Sequence, residues 1–192
     1  MTFPETTPHL QGDRAMEPIG PLMHEHRLIE RMIALLHKEA ERLENGGRAD
    51  LPFVFSGVEF VRVYADKLHH GKEEDVLFRA LEAKDLTQEH RSMLEELIED
   101  HKYGRRLVGE LEDAAAAFAG HGEPKAIAGI LRKLAEFYPK HIEKEDKHFF
   151  FPVLEYFSKE ERQDMLDQYE VLEKKLVHDR YTEMVEQLEA RE

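Results

Sequence analysis

Apolar residues recur at intervals of three and four along nearly the whole chain, and no window alternates strictly enough to suggest a strand. Residues 1–15, MTFPETTPHLQGDRA, break this pattern: polar and interrupted by proline, they predict a flexible N-terminal tail. From Glu17 or Pro21 an amphipathic helix is expected to run to Asn45, where Gly46-Gly47 stops it. Asp50-Leu51-Pro52 opens a second helix reaching about Ala83, with proline in the first turn where helices tolerate it. A third begins near Thr87 and ends at Gly120-His121-Gly122. A fourth starts at Pro124 and reaches about Phe157, with a bend expected at Pro152. Ser158-Lys159-Glu160-Glu161 has the form of a capping box and opens a fifth helix.

Four long amphipathic helices with short connections predict an all-α fold, an up-down-up-down four-helix bundle over residues 16–157. Residues 158–192 are then an additional C-terminal helix, with Met165, Tyr169, Leu172 and Leu176 along one seam. That seam suits either packing back on the bundle or a homodimer contact, and the pattern leaves both open.

Composition narrows the chemistry. The 192 residues contain no cysteine, which excludes disulfides, zinc–thiolate clusters and thiol catalysis. A formal net charge of −14 with no basic block argues against nucleic acid as a partner. No apolar run approaches the roughly 18 residues of a membrane span, and no signal peptide is visible, so a cytoplasmic protein without a membrane partner is expected. No glycine-rich phosphate loop or nucleophile motif stands out, and no catalytic residue is assigned.

The histidines carry the informative pattern. Projected at about 100° per residue, His26 lies with Ile19, Leu22, Ile29 and Ile33, and His70 with Val63, Glu74, Leu77 and Leu81. His101 shares a stripe with Leu94, Leu97 and Val108, and His141 with Ile130, Leu134, Phe137 and Glu145. One such histidine is usually a satisfied core residue. One on each of four helices is different, because a dry bundle gains nothing from burying imidazoles that each need partners for two nitrogens. Convergence on a metal ion explains all of them together.

Spacing of histidine and glutamate by four places both on one helix face, but in so acidic a chain it is a weak signal. His26–Glu30, His37–Glu41, His69–Glu73, His70–Glu74 and His141–Glu145 all have it. An internal repeat is stronger. Glu25-His26 precedes His70-x-x-x-Glu74-Asp75, and Asp100-His101 precedes His141-x-x-x-Glu145-Asp146, in matching order on successive helices.

The ordered segments EHR, HHGKEEDVLF, EDHKYGRRL and HIEKEDKHFFFP resemble the hemerythrin-like, or HHE cation-binding, family over roughly residues 20–157. The resemblance implies a four-helix bundle holding two non-haem iron ions with an oxo or hydroxo bridge. It makes His26, His70, His101 and His141 the nitrogen ligands and Glu74 and Glu145 the bridging carboxylates. A ferritin-like site would need two Glu-x-x-His motifs; Glu145-x-x-His148 supplies one.

The chain departs from the oxygen-carrying members in its third helix. They place a second histidine four residues from the ligand there, whereas Leu97 and Arg105 flank His101. Four histidines rather than five are therefore expected, with His69 hydrogen-bonding behind the ligands or facing solvent. Asp146 competes with Glu145 for the bridge, and Glu145 is preferred because it lies nearer the His141 stripe. His148, Tyr64 and Tyr103 are read as peripheral or core residues, Phe149–Phe151 as core and bundle cap, and His9, His37, His90, His121 and His178 as surface or loop residues.

Two readings of function follow. The first is a di-iron protein that binds, senses or reacts with a small diatomic or peroxide ligand, with enzymatic turnover undecided. A missing nitrogen ligand would leave its iron more open, and Arg105 could draw in anions. The second is a regulatory or interaction module whose metal is structural or absent.

Overall fold

A computed structural model describes residues 17–119 and 123–189, with side chains described for 17–118 and 123–176. The expected tail at 1–15 and the Gly120–Gly122 stop lie outside the described residues. Among those described, the chain is helical and forms no strand. Helix α1 is Ile19–Glu44. Helix α2 covers residues 51–82 in continuous segments: α-helical Leu51–Phe60, wider π-helical turns at Val61–His70 and Glu73–Phe78, then α-helical Arg79–Glu82. Helix α3 is Gln88–Ala119. Helix α4 covers 124–154, as Pro124–Lys144, a π-helical Glu145–Phe149 and a final Phe150–Leu154. Helix α5 is Lys159–Glu189.

Local chemistry explains the boundaries. Gly46 stands at φ +85°, the left-handed conformation that closes a helix with least steric cost, and its N–H donates to the Leu43 carbonyl. Asp50 accepts from the Phe53 N–H at 3.1 Å to open α2. Ser158 and Glu161 form the reciprocal capping box: the Ser158 N–H donates to Glu161 at 2.8 Å, and the Glu161 N–H donates to Ser158 Oγ at 3.2 Å. The irregularity in α4 falls earlier than Pro152, in the turn Glu145–Phe149, and α4 ends at Leu154.

The wide turns of α2 answer a sequence that runs at a period of four. Gly57, Val61, Ala65, His69, Glu73, Leu77 and Leu81 are all buried. In a regular α-helix each step of four overshoots one turn by about 40°, so such a row would wind away from the core. Turns closed by i→i+5 bonds hold more residues and keep the row facing inward.

Buried apolar side chains form two clusters. One joins Ile29–Leu43 of α1, Val54–Ala65 of α2, Leu107–Ala115 of α3 and Ile127–Ile142 of α4. The other joins Ile19 and Leu22 of α1, Val76–Leu81 of α2, Leu94 and Leu97 of α3, Phe149–Leu154 of α4, and Met165 and Tyr169 of α5. On α1, α2 and α3 the buried histidines lie between the residues given to one cluster and those given to the other, and on α4 His141 lies beside Ile142, at the end of the first cluster's run. Met165 and Tyr169 place the described start of the C-terminal seam on the rest of the chain. Phe149 and Phe150 are core as expected, whereas Phe151 is exposed.

Candidate metal centre

Among the described residues ten buried side chains are polar or charged, and most of them converge in one place. His26 comes from α1, His69, His70 and Glu73 from α2, His101 from α3, and His141 and Glu145 from α4. His26, His69, Glu73 and Glu145 can turn one ligand atom each toward a common point, and His70, His101 and His141 toward another. The two carboxylates lie between the points. Glu73 Oε1 is 3.5 Å from His69 Nε2 while its Oε2 is 3.3 Å from His101 Nε2. Glu145 Oε2 is 3.3 Å from His26 Nε2, and its Oε1 is 3.4 Å from His141 Nε2 and 3.7 Å from His101 Nε2.

These contacts are close, yet Nε2 of His26, His69, His101 and His141 and both oxygens of Glu73 and Glu145 have no aligned hydrogen-bond partner. Eight buried polar atoms left so together would be costly. Donors about 2.1 Å from a shared cation stand roughly 3.0–3.4 Å apart, close to the separations seen. Imidazole and carboxylate are also ligands suited to iron and similar transition ions. The residues present therefore fit a pair of cations, with each carboxylate able to give one oxygen to either side.

The other ring nitrogen of every one of these histidines is held by a carboxylate. Nδ1 of His26 meets Asp146 at 2.7 Å, His69 meets Glu25 at 3.0 Å, and His70 meets Asp66 at 3.3 Å. His101 meets Glu74 at 2.6 Å and His141 meets Asp100 at 3.4 Å. Such bonds fix the ring orientation and direct Nε2 inward. Each outer carboxylate is anchored in turn by a cation. Arg27 pairs with Asp146, and Arg105 pairs with both Asp66 and Glu74 at 2.8 Å. Lys144 pairs with Asp100 at 2.7 Å, and the fully buried Lys72 pairs with Glu25. Aromatic rings brace the imidazoles: Phe150 stacks on His26, Phe78 on His101 and Phe137 on His141, with centroids 5.4–5.7 Å apart.

The electrostatics follow from this crowding. Burial, and then the charge of Glu145, pushes the Glu73 carboxyl up to about 7. Burial would lower His26, but its hydrogen bond to Asp146 and the nearby Glu145 outweigh it and hold the ring at about 10. Burial also opposes the charged form of His101, yet the carboxylates of Glu145, Glu73 and Glu74 raise it well above the ordinary range. His70 falls to about 3 through burial and the neighbouring His101.

The structure thus brings together His26, His70, His101, His141 and Glu145 from the expected set. It does not bring in Glu74, which is partly exposed and accepts from His101 Nδ1 and Arg105. Glu73 takes the inward place, and His69, expected behind the ligands or at the surface, is buried with its Nε2 in the centre. The physical reason is the wide-turned α2, on which a projection at 100° per residue misplaces neighbours. His69 and Glu73 were nevertheless readable from the period-four row, since every other member of that row is glycine or apolar. Asp146 is a hydrogen-bond partner of His26 and lies outside the two ligand groups. His148 is exposed, Tyr103 is exposed against Phe137, and Tyr64 stacks on Phe60. Arg105 is tied to Asp66 and Glu74, and it lines a cavity of about 70 Å³ with His70, Gly104 and Tyr138.

Fold and site together describe a helical, histidine-rich cation-binding domain. The sequence model of the hemerythrin HHE cation binding domain matches residues 92–191, just over half of the chain, and the chain belongs to that family. The match takes in α3, α4 and α5, and so crosses the boundary expected near residue 157. Uncharacterized proteins of Mycobacterium bovis and Mycobacterium tuberculosis are 24% identical to it over 169 residues, covering 87% of this chain and 64% of theirs. The chain therefore spans less than two thirds of the length of these curated relatives. No solved structure matches.

Proposed function

We propose that this chain is a non-haem di-iron protein that binds and reacts with small oxidants such as oxygen, peroxide or nitric oxide. The observation that carries the reading is the set of eight buried, unpartnered donor atoms supplied by histidine and glutamate from four helices. His70, His101 and His141 would hold one ion and His26 and His69 the other, with Glu73 and Glu145 spanning both. The division of the apolar residues between two clusters supports an up-down-up-down bundle, because the start of α1 shares a cluster with the end of α2, the start of α3 and the end of α4.

When bound, a pair of irons supplies one-electron redox chemistry and open positions for exogenous ligands. The protein's part is orientation and exclusion. Carboxylates on Nδ1 keep each ring turned inward, and the stacked phenylalanines and two apolar clusters keep bulk water out. The His26–His69 side has one nitrogen donor fewer than the other, so an ion held there would keep a coordination position for a small ligand. A fifth histidine removes the ground for expecting an unusually open site, and reversible oxygen binding stands beside oxidation as an outcome for the same donor set. Metal analysis of protein from iron-supplemented cells tests the reading. About two irons per chain are expected, and none, or one zinc, would overturn it.

A further inference from the structure

Helix α5 packs against the wide turns Val61–His70 and Glu73–Phe78 of α2, which carry His69, His70 and Glu73. Tyr169 is 2% exposed, and its hydroxyl is buried without a hydrogen-bond partner. Buried tyrosine hydroxyls ordinarily find a partner, because leaving one unmet costs stability that a phenylalanine would not. The surroundings are polar. Lys72 Nζ stands 5.6 Å from the Tyr169 ring centroid and ties Glu25 to Glu173 of α5, the latter at 2.5 Å. Among the charges acting on the Tyr169 hydroxyl are Glu73, a central carboxylate, and Glu25, the partner of His69. The approach is close: a Cβ at Gly71 would lie 3.3 Å from Leu172 of α5.

Resting on the di-iron reading, we propose that Tyr169 donates its hydroxyl hydrogen to the small oxygen- or nitrogen-centred anion that enters the His26–His69 side of the centre. It is a specificity-determining residue contributed by a helix that carries none of the seven clustered residues. The donor serves an acceptor that arrives with the ligand, which explains why the described residues provide none. A hydroxyl at this place favours ligands with a lone pair to accept, such as azide or peroxide, over those with a weak acceptor.

The test uses full-length, iron-loaded ferric protein and its Tyr169→Phe variant, with azide as the probe. Iron content and melting temperature are measured first, then azide affinity by absorbance titration. The variant is expected to load iron like the parent and to melt at or above its temperature, while its azide affinity falls roughly five- to tenfold, the scale of one hydrogen bond. Equal affinity in the two proteins overturns the proposal. So does loss of a visible charge-transfer band together with iron, which would make Tyr169 a ligand instead of a donor. Parent protein that takes up no iron sinks the di-iron reading itself, and this assignment falls with it.

Discussion

Replacing Glu73 by glutamine should change stability with opposite sign in the metal-free and metal-loaded protein. Glu73 is fully buried, with burial and Glu145 holding its carboxyl at about 7 against an ordinary 4.5. A carboxyl raised in this way carries no penalty below its ordinary value, and the cost builds as pH rises from 4.5 through the folded value. With 1.36 kcal/mol per unit, the full cost above pH 7 is roughly 3 kcal/mol. Glutamine removes that charge while keeping the shape. In chelator-treated protein at pH 8, Glu73→Gln should therefore melt about 6–12 °C above the parent, taking 2–4 °C per kcal/mol for a chain of this size. At pH 4, below both values, the difference should vanish. With ferrous iron added anaerobically the order reverses. The parent gains about 4 kcal/mol when free metal exceeds the dissociation constant a thousandfold, whereas the variant has lost a donor to both ions. Thermal melts by circular dichroism in the two metal states at pH 8, and without metal at pH 4, test each arm. A metal-free variant that melts below the parent at pH 8, or one that keeps the full gain from iron, would refute the reasoning.

Further outcomes follow from the same geometry. His69→Ala and His70→Ala should both lose iron, since both side chains lie in the centre; iron retained in His69→Ala would exclude it as a ligand. Glu74→Ala should weaken metal binding about 10–100-fold without abolishing loading, as loss of a histidine's outer partner does, and a competition titration against a chelator measures it. Loading at pH 7.5 should release protons, since neighbouring carboxylates hold the His26 ring at about 10 and raise His101 well above its ordinary range. Uptake should then weaken as pH falls, and an indicator dye in weak buffer reads the release.

Helix boundaries were legible because their signals are local. Gly46, Asp50 with Pro52, and Ser158 with Glu161 act within one turn, and each is found closing or opening its helix. Four central histidines were legible for a broader reason: an imidazole among leucines at helical spacing is conspicuous. The choice between Glu73 and Glu74 depended on helical pitch, which local propensity does not specify. Pitch is set where α2 meets the other helices, and there the inward row at a period of four prevails over the regular turn. His69 was lost for the same reason. On an ideal wheel it shares a stripe with the exposed Arg62, while Val61 and Ala65, four residues apart on its own row, point inward. Glu25, Glu74, Asp100 and Asp146 stand in the repeat, but their place behind the imidazoles was not legible, and in so acidic a chain nothing separates Asp66 from the many acids that face solvent.

Lys72 makes the last helix hard to detach. All seven side chains of the centre lie within His26 to Glu145, so a fragment ending at Phe157 would contain every clustered residue among those described. It would still leave the buried Lys72 ammonium without Glu173, with Glu25 as its remaining carboxylate among the described residues. Glu25 is also the group that orients His69. An acid asked to neutralise a stranded cation alone is pulled toward it, and the imidazole it steers turns with it. Cutting the chain after α4 would thus disturb a ligand geometry to which α5 gives no clustered residue, and a fragment chosen by the donors alone would be cut too short.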